Sequence, residues 1–243
     1  MPPGQQPYAL MPAGELCSRG TDEVIGRLSD YFKKHDWKPV FKKIYKEHLD
    51  YFRKYVKSDD DIIYDRDNSD YLYLAADLIG LKGKKYDGKR NHINKFRNNY
   101  HFEYVPLDIS FVEECSRIME DWCREKNCNC QEGQYCERQA NMELLNSYSY
   151  LECKGALISV NGRFEAFSIG EMLNRDTAVI HIEKANTAIQ GLYPALNQMF
   201  LEREWNHALY VNREQDLGLE GMRKAKLSYN PVKLIDKYTV YTG

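Results

Sequence analysis

The sequence predicts an α/β chain, a mixed sheet with helices packed on it, and three observations carry that expectation. Residues 153–160 and 163–170 are apolar, β-favouring runs joined by Asn161-Gly162, the strongest short hairpin signal. From there to the end, strand-like and helix-like patterns alternate. Hydrophobic residues make up 43% and charged residues 29% of 243 positions, so the chain can bury a full core as one large domain or two ordinary ones.

Residues 1–20 are rich in Pro and Gly and read as loop. Thr21 can cap a helix with Asp22 and Glu23 in its first turn and Val24, Ile25, Leu28, Tyr31 and Phe32 as its apolar stripe. Residues 39–44 suit a strand. Tyr45, Leu49, Phe52 and Val56 then mark a second amphipathic helix. The acidic stretch 58–70 reads as strand edge and loops. A basic helix follows within 81–100, then a short strand at 102–105. Asp108 opens a helix with Val112, Cys115, Ile118, Met119 and Trp122 on one face, and a further helix carries Ala140, Leu144, Leu145 and Tyr148. After the hairpin come a strand at 177–182, a helix beyond Gly191, a strand at 208–211, a helix at 218–229 and a terminal strand at 232–241. The break between halves is expected near 105–108, giving parts 1–105 and 106–243.

A formal net charge of −2 excludes a global field that attracts nucleic acid or anionic lipid, so such binding requires a local patch. No stretch approaches the apolar length that crosses a bilayer. The opening Met-Pro-Pro-Gly-Gln-Gln-Pro has neither the basic nor the apolar part of an export signal, so a cytoplasmic location and reduced thiols are expected. Of seven cysteines, Cys123, Cys128, Cys130 and Cys136 crowd together, but Cys128-x-Cys130 is closer than zinc ligands usually sit. No metal is expected.

Three segments suggest chemistry. Lys82, Lys84, Lys85, Lys89, Arg90 and Lys95 gather in one loop and helix, a pattern suited to phosphate groups and equally to a solvated face. A strand at 179–183 runs into a turn at Gly191 before a helix, where free N–H groups favour an anion. Asn212, Arg213, Glu214 and Asp216 stand at the C-terminal end of a strand, where α/β sheets bind ligands.

In this order the segments resemble the phosphatidylglycerol lysyltransferase C-terminal domain family and its stand-alone members. The matching runs are Leu-Lys-Gly-Lys-Lys-Tyr-x-Gly-Lys-Arg-Asn-x-Ile-Asn-Lys-Phe (81–96) and His-Ile-Glu-Lys-Ala (181–185). The third is Val-Asn-Arg-Glu-Gln-Asp-Leu-Gly-Leu-Glu-Gly-Met-Arg-Lys-Ala-Lys-Leu-Ser-Tyr (211–229). The resemblance runs from about Tyr8 onward. It implies two GNAT-like (acyl-CoA N-acyltransferase) halves in tandem, related to Fem-type transferases that use aminoacyl-tRNA. The first half is expected to lack its N-terminal strands, and the membrane-spanning flippase part of true lysyltransferases is not expected.

The resemblance further implies that strands 178–183 and 208–213 splay around an acyl donor whose phosphates meet the turn Ile189, Gln190, Gly191, Leu192 and Tyr193, with Asn212, Lys85, Lys89 and Arg90 also touching it. The donor, aminoacyl-tRNA or acyl-CoA, is a co-substrate, and no tightly bound cofactor is expected. Glu183 and Asp216 are the candidate carboxylates for the base or for binding the amine, Arg213, Lys184 and Lys226 the cations, and Tyr229 the proton donor to the leaving group. Cys153 is a weaker nucleophile candidate. The acceptor, an amine or hydroxyl of a small molecule, lipid or peptide, stays open. A competing expectation is a non-catalytic module that binds RNA or an acidic partner through 82–95.

Overall fold

A computed structural model describes residues 6–12, 14, 18–126 and 137–243. In chain order the elements are α1 (Ser18–Lys34), β1 (Val40–Tyr45), β2 (Ile62–Tyr64), β3 (Asp70–Leu74), α2 (Ala75–Gly80), α3 (Asp87–Asn99), β4 (Phe102–Pro106), α4 (Val112–Glu125) and α5 (Glu137–Asn146). Then come β5 (Lys154–Val160), β6 (Arg163–Met172), β7 (Thr177–Ala185), α6 (Leu192–Glu204), β8 (Tyr210–Asn212), α7 (Glu220–Leu227), β9 (Lys233–Ile235) and β10 (Lys237–Tyr241). No helix of the described residues is long and apolar enough to cross a membrane.

The chain forms two compact units. The first comprises Met1–Tyr71, Gln215–Lys226 and Lys233–Gly243, and the second Leu72–Glu214 with Leu227–Val232. They divide elsewhere than at the expected 105/106 break, because β4 pairs with β5 along its whole length and ties 102–106 to the hairpin. The end of the chain also returns to the first unit, where β10 pairs with β1 and β2 in an antiparallel sheet.

In the first unit that sheet and α1 enclose Ile25, Phe41, Ile44, Leu49, Phe52 and Val240. The apolar spacing from Tyr45 to Val56 reads as α-helix, whereas Lys46–Phe52 forms a 3-10 turn. It buries Leu49 and Phe52 all the same, which is what the spacing encodes. The terminal strand expected at 232–241 is interrupted at Asp236, yielding β9 and β10.

In the second unit the strands run β4-β5-β6-β7-β8-β3. Every neighbouring pair is antiparallel except β7 and β8, which are parallel and joined through α6, the crossover that parallel strands require. The β5–β6 hairpin turns at Asn161 and Gly162 with φ of +52° and +83°, the left-handed pair that Asn-Gly adopts readily. One sheet face carries Leu157, Phe167, Ile169 and Ile182 against Cys115, Ile118, Met119 and Cys123 of α4 and Leu145 of α5. α6, with α2 and α3 packed on it, lies on the sheet as well, and Glu183, the neighbour of Ile182, meets Asn197 of α6. Successive strand residues point to opposite faces, so Glu183 turns away from α4, whereas the alternation breaks at residue 181, where β7 carries an extra residue.

Candidate active site

The pairing of β7 with β8 is short. It joins Thr177 to Tyr210, Ala178 to Val211 and Val179 to Asn212, and there it stops while β7 continues to Ala185. The sheet therefore opens beyond Val179, and side chains reach across where backbone hydrogen bonds do not. Glu183 Oε2 accepts from Arg213 Nε at 3.1 Å and Nη2 at 2.5 Å, a forked pair with both side chains largely buried. Glu183 Oε1 accepts from Asn197 Nδ2 at 2.9 Å. Asn197 is only 2% exposed, and its Oδ1 accepts no hydrogen bond from the described residues. The guanidinium of Arg213 lies 4.8 Å from the ring centre of Tyr229 and 5.9 Å from that of Tyr73.

Lys89, from α3, reaches the same tyrosine, with Nζ 3.9 Å from the centre of the Tyr229 ring. Burial and the neighbouring charge of Arg213 pull its pKa down to about 8. Arg213 itself is cooled of its charge by burial and restored by Glu183, the pairing winning, so that it stays cationic at any ordinary pH. Burial pushes the Tyr229 hydroxyl up to about 12, so it remains a proton-bearing donor.

A bulge lies at the mouth of the opening. Ile169 faces Ile182 and Gly170 faces Ile180, leaving His181 of β7 unmatched. Gly170 is demanded there, since an added Cβ would stand 2.5 Å from the Val179 carbonyl oxygen. His181 bonds Glu171 through Nε2 and Glu214 through Nδ1.

The other expected residues occupy several environments. Asp216 belongs to the first unit and is 0% exposed. Its Oδ1 accepts from Gly218 N–H and Arg223 Nη2, and its Oδ2 from Tyr71 Oη, Arg66 Nη1 and Arg223 Nε. These donors overcome burial and hold the carboxyl well below the usual carboxylate range, which makes it an anchor with negligible affinity for a proton. Lys226, also of the first unit, has Nζ 5.8 Å from the Tyr71 ring centre. Lys184 points to the α4 face, 3.4 Å over the Trp122 ring and 2.7 Å from Glu137 Oε1, so the alternation of β7 turns it away from Glu183. Asn212 is buried and its Oδ1 accepts the Glu214 N–H at 2.7 Å, shaping the turn after β8. The Cys153 thiol is pushed up by burial and by Glu171, the reverse of what nucleophilic activation requires.

In the basic segment Arg90 donates to the carbonyls of Leu81 and Gly83 and pairs with Asp87, fixing its own loop. Lys85 pairs with Asp77 on the surface. Lys82, Lys84 and Lys95 are exposed. At the turn, Gly191 has φ of +85° and presses on the backbone of α3, where a Cβ would collide with the His92 carbonyl oxygen. The Leu192 N–H is already donated to Ile189 O, and Pro194 has none. Gln190 is exposed, whereas burial pushes the Tyr193 hydroxyl up to about 12. Of the crowded cysteines, Cys123 is buried and Cys128, Cys130 and Cys136 lie outside the described residues. Among the described residues no group of three or more His, Cys, Asp and Glu is arranged to hold a metal.

Three residues of this site escape a reading of the sequence. Glu171, His181 and Asn197 sit in apolar patterns, and only the bulge and the α6 crossover bring them to the opening. A polar residue interrupting a buried strand, as His181 does between Ile180 and Ile182, is the one signal available.

The parallel pair that opens and the α6 crossover give the chain a GNAT-like fold. A tandem GNAT protein from the clavulanic acid biosynthesis pathway superposes with a TM-score of 0.51 over 93% of this chain and 70% of its own, at 7% identity. Within that class the chain belongs to the phosphatidylglycerol lysyltransferase C-terminal family, whose profile it matches over residues 3–241. A conserved protein of unknown function from Bacteroides thetaiotaomicron is 37% identical, with a TM-score of 0.84 over 96% of this chain and 78% of that one. L-PGS from Bacillus licheniformis is 16% identical, with a TM-score of 0.70 over 96% and 76%. An uncharacterised protein of Mycoplasmoides gallisepticum is 24% identical over 192 residues, 77% of this chain and 61% of that relative's length.

Proposed function

We propose that the chain moves an aminoacyl group from aminoacyl-tRNA to an amine or hydroxyl, with the reacting carbonyl in the opening between β7 and β8. The observation that carries this reading is the Glu183–Arg213 bridge, which spans two strands past the point where their backbones stop pairing. The attacking nitrogen or oxygen forms a bond to the ester carbon. The ester C–O bond then breaks, and the nucleophile's proton ends on the ribose oxygen. Glu183 Oε1 accepts from Asn197 Nδ2, and Asn197 Oδ1 beside it is a buried acceptor, so the two suit the N–H groups of an attacking amine. Arg213, kept charged, supports the oxyanion, and the Tyr229 hydroxyl passes its proton to the leaving ribose oxygen and is reprotonated by the proton the nucleophile gives up. Lys89 contributes positive charge for an anionic part of either substrate.

Aminoacyl-tRNA is favoured over coenzyme A by the turn before α6. An N–H spent on Ile189, a proline, and a glycine pressed on the His92 carbonyl leave a poor cradle for a pyrophosphate. Exposed Lys82, Lys84 and Lys95 suit RNA phosphates instead. The test is single-turnover transfer from a tRNA pool charged with labelled amino acids, beside labelled acetyl-CoA. The acceptors are phosphatidylglycerol vesicles, small amines and peptides. Protein-dependent transfer from the charged tRNA, lost in Arg213→Ala, is expected. Transfer from acetyl-CoA alone would reassign the donor, and transfer from neither, with every acceptor, would overturn the reading.

A further inference from the structure

His181 stands between two carboxylates. Its Nε2 lies 2.9 Å from Glu171 Oε1 and its Nδ1 lies 3.0 Å from Glu214 Oε1. An ionised carboxylate only accepts, so both ring nitrogens donate here, and only the imidazolium has two N–H groups. Both ends of this arrangement are built into the backbone. His181 is the unmatched residue of the β7 bulge, which re-aims its side chain. Glu214 holds φ of +54°, a left-handed conformation that a non-glycine residue keeps only when its surroundings over-determine it. Its N–H is tied to Asn212 Oδ1 as well.

We propose that His181 is a positioning residue: as an imidazolium it straps Glu171 of β6 to Glu214 beyond β8, across the opening, and so fixes the adjacent Arg213 against Glu183. The catalytic consequence rests on the transferase reading above; the strap itself does not. The groups that face the imidazole are Glu171 from β6 and Glu214 from the segment after β8. On its own strand Glu183 follows two residues on, already joined to Arg213, and Cys153 ahead of β5 is within electrostatic reach of Glu171. The hydrogen bond to Glu214, then that to Glu171, outweighs burial and raises the His181 pKa above its ordinary value of 6.5. The sign follows from linkage. A raised folded-state pKa means that the strap is fully present below the unfolded value and is lost as pH rises through the folded one. Neutral imidazole retains a single N–H, and its other nitrogen then turns a lone pair towards a carboxylate, so one end of the strap lets go.

The experiment uses the whole chain and two independent readouts across pH 5.5–9. Imidazole 15N NMR follows the ring, and amide hydrogen exchange at Arg213 and Glu214 follows the segment, with β5 amides as the reference for intrinsic exchange. We expect both His181 nitrogens protonated at pH 6.5, titration above that value, and loss of protection at Arg213 and Glu214 in step with it. His181→Gln should exchange fast at every pH, and Glu214→Gln should lower the His181 pKa without unfolding the unit. In single-turnover transfer His181→Gln should lower the rate roughly tenfold or more, the scale of a small misplacement, and abolish the loss of rate at high pH. Titration of His181 at or below 6.5, or exchange at Arg213 and Glu214 that ignores its titration, overturns the strap. Absence of transfer in the parent protein with the NMR and exchange results intact refutes the transferase reading and leaves the strap standing.

Discussion

Asp216 and Glu183 are both carboxylates gripped by arginine, yet they belong to different compact units and to different kinds of chemistry. Five hydrogen bonds reach the two oxygens of Asp216, from Arg66, Tyr71, Gly218 and twice from Arg223, and none of its surface is open. Glu183 gives one oxygen to Arg213 and the other to Asn197 Nδ2, beside the open acceptor of the same amide. The pattern of charges in a sequence does not separate an anchor from a site. What separates them is how completely the protein itself fills the lone pairs.

Replacing Asp216 should produce the largest effect, and on stability. Asp216→Ala strands Arg66, Arg223 and the Tyr71 hydroxyl around a hole, an arrangement that costs about 3–5 kcal/mol when one partner of a buried pair is removed. A loss of stability below about 1 kcal/mol in a denaturant melt would make Asp216 an ordinary surface charge. The same group predicts acid sensitivity. Its carboxyl is held below its ordinary value of 3.8, so its contribution is present above that pH and is lost as pH falls towards the folded-state value. Asp216→Asn should flatten the acid limb of a stability-against-pH curve.

At Glu183 the expected effect moves from stability to rate. Arg213→Ala and Glu183→Gln should each lower single-turnover transfer roughly a hundredfold, the scale of one electrostatic or general-base contact. Should either variant melt far below the parent at the same time, the two carboxylates would share one role and the contrast would collapse. Smaller still is the effect of Lys89. With a pKa of about 8, it loses its charge between pH 7 and 9, and binding of an uncharged tRNA should weaken over that interval by a few-fold. Lys89→Arg should remove that pH dependence, and a retained one would assign it to another group. Least of all should follow from Lys85→Ala, which breaks an exposed pair with Asp77 and changes stability by about 0–1 kcal/mol.

Much of the fold was legible from local signals. Asn161-Gly162 announces the hairpin because its left-handed turn is encoded in two residues. The stripe Val112, Cys115, Ile118, Met119 and Trp122 announces α4 because a long helix repeats its signal. β3 and α2 went unread, since five and six residues give neither period room to show. At the site, Glu183, Arg213 and Tyr229 were legible through the motifs that carry them, and the structure brings them together. Asp216 was drawn into the same group by adjacency along the chain, which cannot reveal that residue 215 starts a return to another unit. The role of His181 was hidden, although it opens the matched run 181–185, because a bulge depends on the register of two strands, and register is written in neither strand alone.

The ammonium of Lys184 lies 3.4 Å over the indole of Trp122, and Glu137, the first residue of α5, holds it there. The charge over the ring is thus tied by Glu137 to the docking of α5 on α4. Trp122 is one of three tryptophans, and Trp37 and Trp205 have no such partner from α5. A chain with Trp37 and Trp205 replaced by phenylalanine would carry a single native fluorophore whose emission follows the seating of that helix. It would do so without a dye, in the same cuvette in which transfer is measured.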